Sequence, residues 1–168
     1  NTIFEEKLAT FMSSTAFNQN VSAGFIELYT LQMRLAQRSE KTVLFSIGKR
    51  KNKVKLLATV KMLASMHYKL YATYKTHKFL KINTIEAVLV NKISHSNLKP
   101  NLLDLLQQNR FDLVINIFTS KKVKLAEKTD GMIIREYCVK NNTHLITDVD
   151  VAKRFVEKLH SARTNVQS

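Results

Sequence analysis

The run Thr73-Tyr-Lys-Thr76 places two hydroxyls three residues apart, directly after the apolar segment Tyr68-Lys-Leu-Tyr-Ala72 and at the opening of a helical one. Hydroxyls beside the free amides of a helix N-terminus suit a phosphate or a carboxylate. Simple capping of that helix by Thr73 is the competing reading of the same residues. Lys53, Lys92 and Asn116 each fall at or just beyond the end of another apolar run, and Lys75 lies between the two threonines. Lysine brings a point charge to an anion, and an asparagine amide can read a base or a ribose. With 27 Lys and Arg against 13 Asp and Glu, a formal net charge of +14, the chain attracts anions as a whole. Any one lysine also fits a solvated surface, so convergence on the strand ends carries the argument.

Catalytic constellations are sparse. His67, His77, His95, His144 and His160 fall in different segments without metal-ligand spacing. Three glycines, Gly24, Gly48 and Gly131, leave no room for a Walker loop or a dinucleotide fingerprint. Ser46 lacks the surroundings of a nucleophile elbow. Asp104 and Asp148 are the acids near strand ends suited to act as a base, although Asp104, inside Asn101-Leu-Leu-Asp-Leu-Leu106, also fits a solvent-facing helix. Cys138 is the single cysteine, which rules out an intrachain disulfide and reads as a small core residue in a reducing compartment.

The elements that position these residues follow from apolar periodicity. Strands are expected at 43–47, 68–72, 87–90, 111–116 and 144–147, each followed by a helical pattern, at 52–66, 75–82, 101–108, 131–141 and from about 151 onward. Short, continuous apolar runs such as Val43-Leu-Phe-Ser-Ile47 fit strands buried on both faces. The predicted fold class is therefore α/β: a five-stranded parallel sheet with helices on both faces, since each parallel crossover needs a helix. In such sheets ligands bind beyond the carboxyl ends of the strands. Two further helices, at 2–17 and 21–39, are expected to precede it. The division is a helical segment at 1–41, the α/β domain at 42–162 and a tail at 163–168. No apolar run reaches the ~18 residues of a membrane span, and Asn1-Thr-Ile-Phe-Glu-Glu6 lacks the basic-then-apolar layout of a secretory signal. It begins at Asn1 rather than at methionine, and is expected to be a piece of a longer protein.

Taken in order, Ala72-Thr-Tyr-Lys-Thr76, Leu89-Val-Asn-Lys-Ile93, Pro100-Asn-Leu-Leu-Asp104, Asp112-Leu-Val-Ile-Asn116 and Ile134-Arg135 resemble the C-terminal regulatory domain of the carbamoyl-phosphate synthetase large chain. That domain shares its fold with methylglyoxal synthase, and the likeness spans about residues 42–160. The resemblance implies a non-catalytic domain that binds a small anionic effector, inosinate or uridylate in many relatives. By it, Thr73 and Thr76 hold a phosphate, Lys53 and Lys92 supply charge, and Asn116 lines the nucleotide pocket; Lys75 and Thr119, close to these residues in sequence, complete the expected effector-binding set. Urea-cycle synthetases carry an aromatic residue where this chain has Lys92, so a lysine there favours a nucleotide. Lys75 replaces a small residue common in the family, and Phe118 stands where the family has a hydroxyl.

The implied partner is the remainder of the large chain, an ATP-dependent ligase of arginine and pyrimidine biosynthesis in the cytoplasm. No cofactor is expected in this domain; ATP and magnesium belong to the parent enzyme. Methylglyoxal synthase itself needs a carboxylate base on a glycine-rich loop, and Ser94-His-Ser-Asn-Leu-Lys-Pro100 offers neither glycine nor acid. The inosinate cyclohydrolases share the fold but match less well between Val90 and Asp104. The alternative class is a stand-alone basic module that binds nucleic acid or an acidic partner. Aromatics are not interleaved with the lysines, so a nucleic-acid stacking platform is not expected.

Overall fold

In the computed structural model, residue 26, residues 40–118 and residues 129–167 are described, the last three by their helical backbone alone. Strands β1 (Lys41–Ile47), β2 (Tyr68–Thr73), β3 (Val88–Val90), β4 (Leu113–Ile117) and β5 (His144–Ile146) alternate with helices α1 (Arg50–Ser65), α2 (Tyr74–Ile82), α3 (Leu102–Gln107), α4 (Asp130–Lys140) and α5 (Val149–Gln167). All strand pairs are parallel and the order is β3-β2-β1-β4-β5. The centre is β1, paired through Val43 with Leu70 on one side and Leu113 on the other. The two helices expected at 2–17 and 21–39 lie outside the described residues, except Ile26, which is helical and buried in the core.

Alternation along the strands splits the core in two. Val43, Phe45, Ile47, Leu113 and Ile115 face α1, α2 and α5, where Leu56, Val60, Leu80, Phe155 and Leu159 meet them. Leu44, Tyr71, Val90 and Val114 face α3 and α4, against Leu102, Leu105, Ile134 and Cys138. Right-handed crossovers require this division, because the chain moves outward through β2 and β3 and then returns past β1 to β4. Cys138 is 1% exposed and its thiol is pushed up to about 12 by burial, so it packs as the expected small hydrophobe.

Strand boundaries shift where side chains take over backbone bonds. The expected start of β4 at Phe111 moves to Leu113, because the Asp112 carboxylate accepts from the Thr42 amide at 2.8 Å and replaces a ladder carbonyl there. At the other end, Ile117 joins the strand and its carbonyl takes the Gly48 amide at 2.8 Å. The carbonyl of Ala87 lies 3.0 Å from Nε2 of His77, so β3 begins one residue later than expected. Helix α5 runs on to Gln167, and Arg163 gives its last turns a role: Nη1 donates to the Met66 carbonyl at 2.8 Å, with the guanidinium 5.6 Å from the Tyr68 ring. No described helix is long and apolar enough to cross a membrane.

Candidate anion-binding site

The carboxyl ends of the strands open into a cleft of about 1110 Å³. Its walls come from the end of β1 and the loop after it (Ser46 to Lys49), the start of α2 (Thr73 to Thr76), Val90 at the end of β3 and Lys92 beyond it, Asn116 to Phe118 at the end of β4, and the first turns of α4. This is where an open parallel sheet holds its ligands.

Thr73 is the N-cap of α2, yet its side chain makes no capping bond, so among the described residues its hydroxyl and the first amides of the helix are unspent. Thr73 thus stands at the cap position without capping. Thr76 behaves differently. It is 1% exposed, its Oγ accepts the Ile47 amide at 3.0 Å, and the same hydroxyl donates to the Ile47 carbonyl at 3.3 Å. Thr76 thus fastens α2 to the end of β1, and only the longer of these bonds could be exchanged for a ligand oxygen.

Lys75 and Lys92 stand exposed at the cleft. The backbone of Lys92 is fixed by Asn101, whose Nδ2 donates to its carbonyl at 2.8 Å while Oδ1 accepts from Leu103 as the cap of α3. Asn116 is buried, and its Nδ2 donates to the Gly131 carbonyl at 3.3 Å, tying β4 to the first turn of α4. Lys53 does not wall the cleft. It sits half-buried on the first turn of α1, where desolvation, then Lys75 and Arg50, lower its ammonium pKa. Thr119 lies outside the described residues. Of the seven residues named from sequence, the structure therefore gathers Thr73, Lys75, Thr76, Lys92 and Asn116 around one cavity.

Two features escaped the sequence reading. Lys49 walls the cleft from the β1–α1 loop, although in the sequence it is one member of a dense lysine cluster. Arg135 reaches the cleft from α4, and its guanidinium carbon lies 3.4 Å from the centre of the Phe118 ring. Burial lowers the pKa of Arg135, and its Nε is enclosed without a hydrogen-bond partner among the described residues. A hydroxyl expected at 118 is thus replaced by an aromatic face that orients a cation. Among the described residues, the cleft wall carries Lys49, Lys75, Lys92 and Arg135 against a single carboxylate, Asp130, whose Oδ2 accepts the Ile93 amide at 3.3 Å. Such a wall can bind an anion.

Comparison with known proteins agrees with this architecture. The family described as MGS-like domain matches residues 55–147. The carbamoyl phosphate synthase large chain of Agathobacter rectalis is 33% identical over 112 residues, which is 66% of this chain and 10% of that protein. The multifunctional protein CAD of Squalus acanthias is 36% identical over 131 residues, 71% of this chain and 6% of that one. The C-terminal section of the Aquifex aeolicus large chain is 30% identical over 154 residues, covering 90% of this chain and 28% of the relative. This chain thus spans less than a third of any of these three. Among solved structures, methylglyoxal synthase from Elizabethkingia anophelis NUHP1 superposes with a TM-score of 0.52 at 20% identity, over 70% of this chain and 77% of that one. At that identity the likeness concerns the fold alone.

Proposed function

The chain belongs to the MGS-like domain family, and from that premise we propose that it is the regulatory, effector-binding domain of a carbamoyl phosphate synthase large chain, without a catalytic centre of its own. The observation that carries the reading is the cleft, where the uncapped start of α2 and the unspent Thr73 hydroxyl meet Lys75 and Lys92. Amides, a hydroxyl and ammonium groups around one cavity match a phosphate monoester, and Asn116 beyond them suits a base or ribose. The effector is then a small anion such as inosinate or uridylate. The partner is the remainder of the large chain, in the cytoplasm, which uses ATP and magnesium.

A thermal-shift panel with inorganic phosphate, inosinate, uridylate and N-acetylglutamate tests this. A ligand at a hundred times its Kd stabilises by about 2.7 kcal/mol, which raises Tm by several degrees. A nucleotide shift larger than that of phosphate alone is the expected result. No shift with any of the four at millimolar concentration overturns the reading.

One observation favours a second reading, a basic docking surface. Between Lys41 and Ile85 the chain has eleven Lys and Arg and no Asp or Glu. Binding of duplex or single-stranded RNA that persists at physiological salt would support it over the first.

A further inference from the structure

We propose that Phe118 and Arg135 form a base-stacking platform at the β4 wall of the cleft, so that this chain takes a purine or a pyrimidine nucleotide by the face of its base; this rests on the effector-binding reading above. Both residues wall the cleft, and the guanidinium carbon of Arg135 lies 3.4 Å from the centre of the Phe118 ring. At contact distance over the middle of a ring the two planes must be close to parallel, since a steep tilt would drive a guanidinium nitrogen into the ring. The pair is therefore a flat π surface, of the kind on which nucleobases stack. Arg135 is committed to nothing else among the described residues: its Nε has no hydrogen-bond partner there, and no carboxylate there forms an ion pair with it.

The fold fixes the pair in place. Gly131 and Arg135 are one turn apart on α4 and so share a side of it. The Nδ2 of Asn116 donates to the Gly131 carbonyl at 3.3 Å, which ties the end of β4 to that turn two residues before Phe118. A Cβ built on Gly131 would lie 3.8 Å from the Phe118 ring, so the edge of the ring rests against the first turn of α4. The same wall has little left with which to read the edges of a base. The Asn116 amide nitrogen already serves Gly131, the Thr129 side chain accepts the Met132 amide as the cap of α4, and Asp130 Oδ2 accepts the Ile93 amide. A base at this end is held by its face, and every base has one. The ligand class is a nucleoside monophosphate with either kind of base, its phosphate at the start of α2.

The test compares the wild-type chain with Phe118→Leu, which keeps apolar bulk without a π face, and Arg135→Lys, which keeps the charge without the plane. The control is Lys140→Gln, on the exposed last turn of α4. Ribose 5-phosphate, uridylate and inosinate are titrated by calorimetry at fixed ionic strength. The wild-type chain should bind both nucleotides about tenfold tighter than ribose 5-phosphate, within the range of one base stacked on an aromatic side chain, and prefer neither nucleotide by as much. The ultraviolet absorbance of either nucleotide should fall on binding, as stacking predicts. Phe118→Leu and Arg135→Lys should bring both nucleotides down to the level of ribose 5-phosphate, leave the affinity for ribose 5-phosphate unchanged, and abolish the loss of absorbance. Lys140→Gln should do none of this. Nucleotides bound no tighter than ribose 5-phosphate by the wild-type chain overturn the proposal and leave the effector reading intact. So does a preference of about tenfold or more between the two nucleotides, which would show their edges being read. Retained nucleotide preference in either cleft variant overturns it as well. An equal loss of ribose 5-phosphate affinity also does so, since it would assign the pair to the shape of the cleft and not to the base. Absence of binding of all three by the wild-type chain defeats the effector reading first and this one with it.

Discussion

At the scale of single residues, the two threonines that look equivalent in Thr73-Tyr-Lys-Thr76 have separate tasks. Thr76→Val removes the acceptor of a buried amide, that of Ile47, and should cost about 1–2 kcal/mol in urea unfolding with or without ligand. Thr73→Val removes a hydroxyl that bonds nothing among the described residues, so stability should hold within about 0.5 kcal/mol. The phosphate-dependent thermal shift should disappear in this second variant; its survival would move the cradle away from Thr73. His144 supplies a pH signature. It is 3% exposed, and burial pushes its pKa from 6.5 down to about 3. The unfolded chain therefore takes up a proton below about pH 6.5 that the folded one refuses, so the neutral imidazole's contribution is complete above that pH. It is lost as pH falls toward 3, at up to about 1.4 kcal/mol per unit. Unfolding free energies from urea titrations at pH 7 and pH 5 should differ by about 2 kcal/mol, and His144→Gln should flatten that slope whatever it does to absolute stability. The residue types of the site were legible in sequence because hydroxyls and lysines follow strands. Lys49 and Arg135 were not, because a lysine in a cluster and an arginine on a helix carry no mark of the cavity they reach.

At the scale of elements, five strands and five helices could be placed from periodicity, because buried parallel strands are short apolar runs and the helices between them carry stripes. What periodicity misses is where a side chain replaces a backbone partner, as Asp112 does for Thr42 and His77 for Ala87. Helix ends were hard to place for a related reason. With three glycines in the chain, the helices α1 to α4 end on non-glycine residues in the left-handed region: His67, Thr84, Asn109 and Asn142. Asparagine tolerates that conformation and is the usual substitute. Thr84, β-branched at φ 58°, does not. Its turn is nonetheless held by the bond from the Ile85 amide to the Leu80 carbonyl at 2.9 Å. Thr84→Gly should therefore stabilise the domain by about 1 kcal/mol, a rise of about 3 °C in Tm. The same change at Asn109 should give only a few tenths. Equal gains at both positions would remove β-branching as the cause.

At the scale of the whole molecule, charge is unevenly placed. The eleven cations between Lys41 and Ile85 belong to β1, α1, β2, α2 and their loops, and both helices cover the same face of the sheet. No acid within that stretch offsets them, and Lys53 already registers the crowding through Lys75 and Arg50. Self-repulsion of this kind destabilises a compact state and is relieved by screening. The Debye length shrinks from about 30 Å at 0.01 M to about 8 Å at 0.15 M salt. Tm should accordingly rise by a few degrees as KCl increases over that range. Phosphate at matched ionic strength should add a further increment, because a bound anion neutralises the cleft directly. Replacing the exposed Lys51, Lys55 and Lys78 by glutamine should shrink the KCl-dependent rise. The phosphate increment should survive, since none of the three walls the cleft. If the increment vanished with the KCl response, phosphate would be acting through the general field of the basic half rather than at a site. If it persisted alone, the field gathers anions and the cleft selects among them.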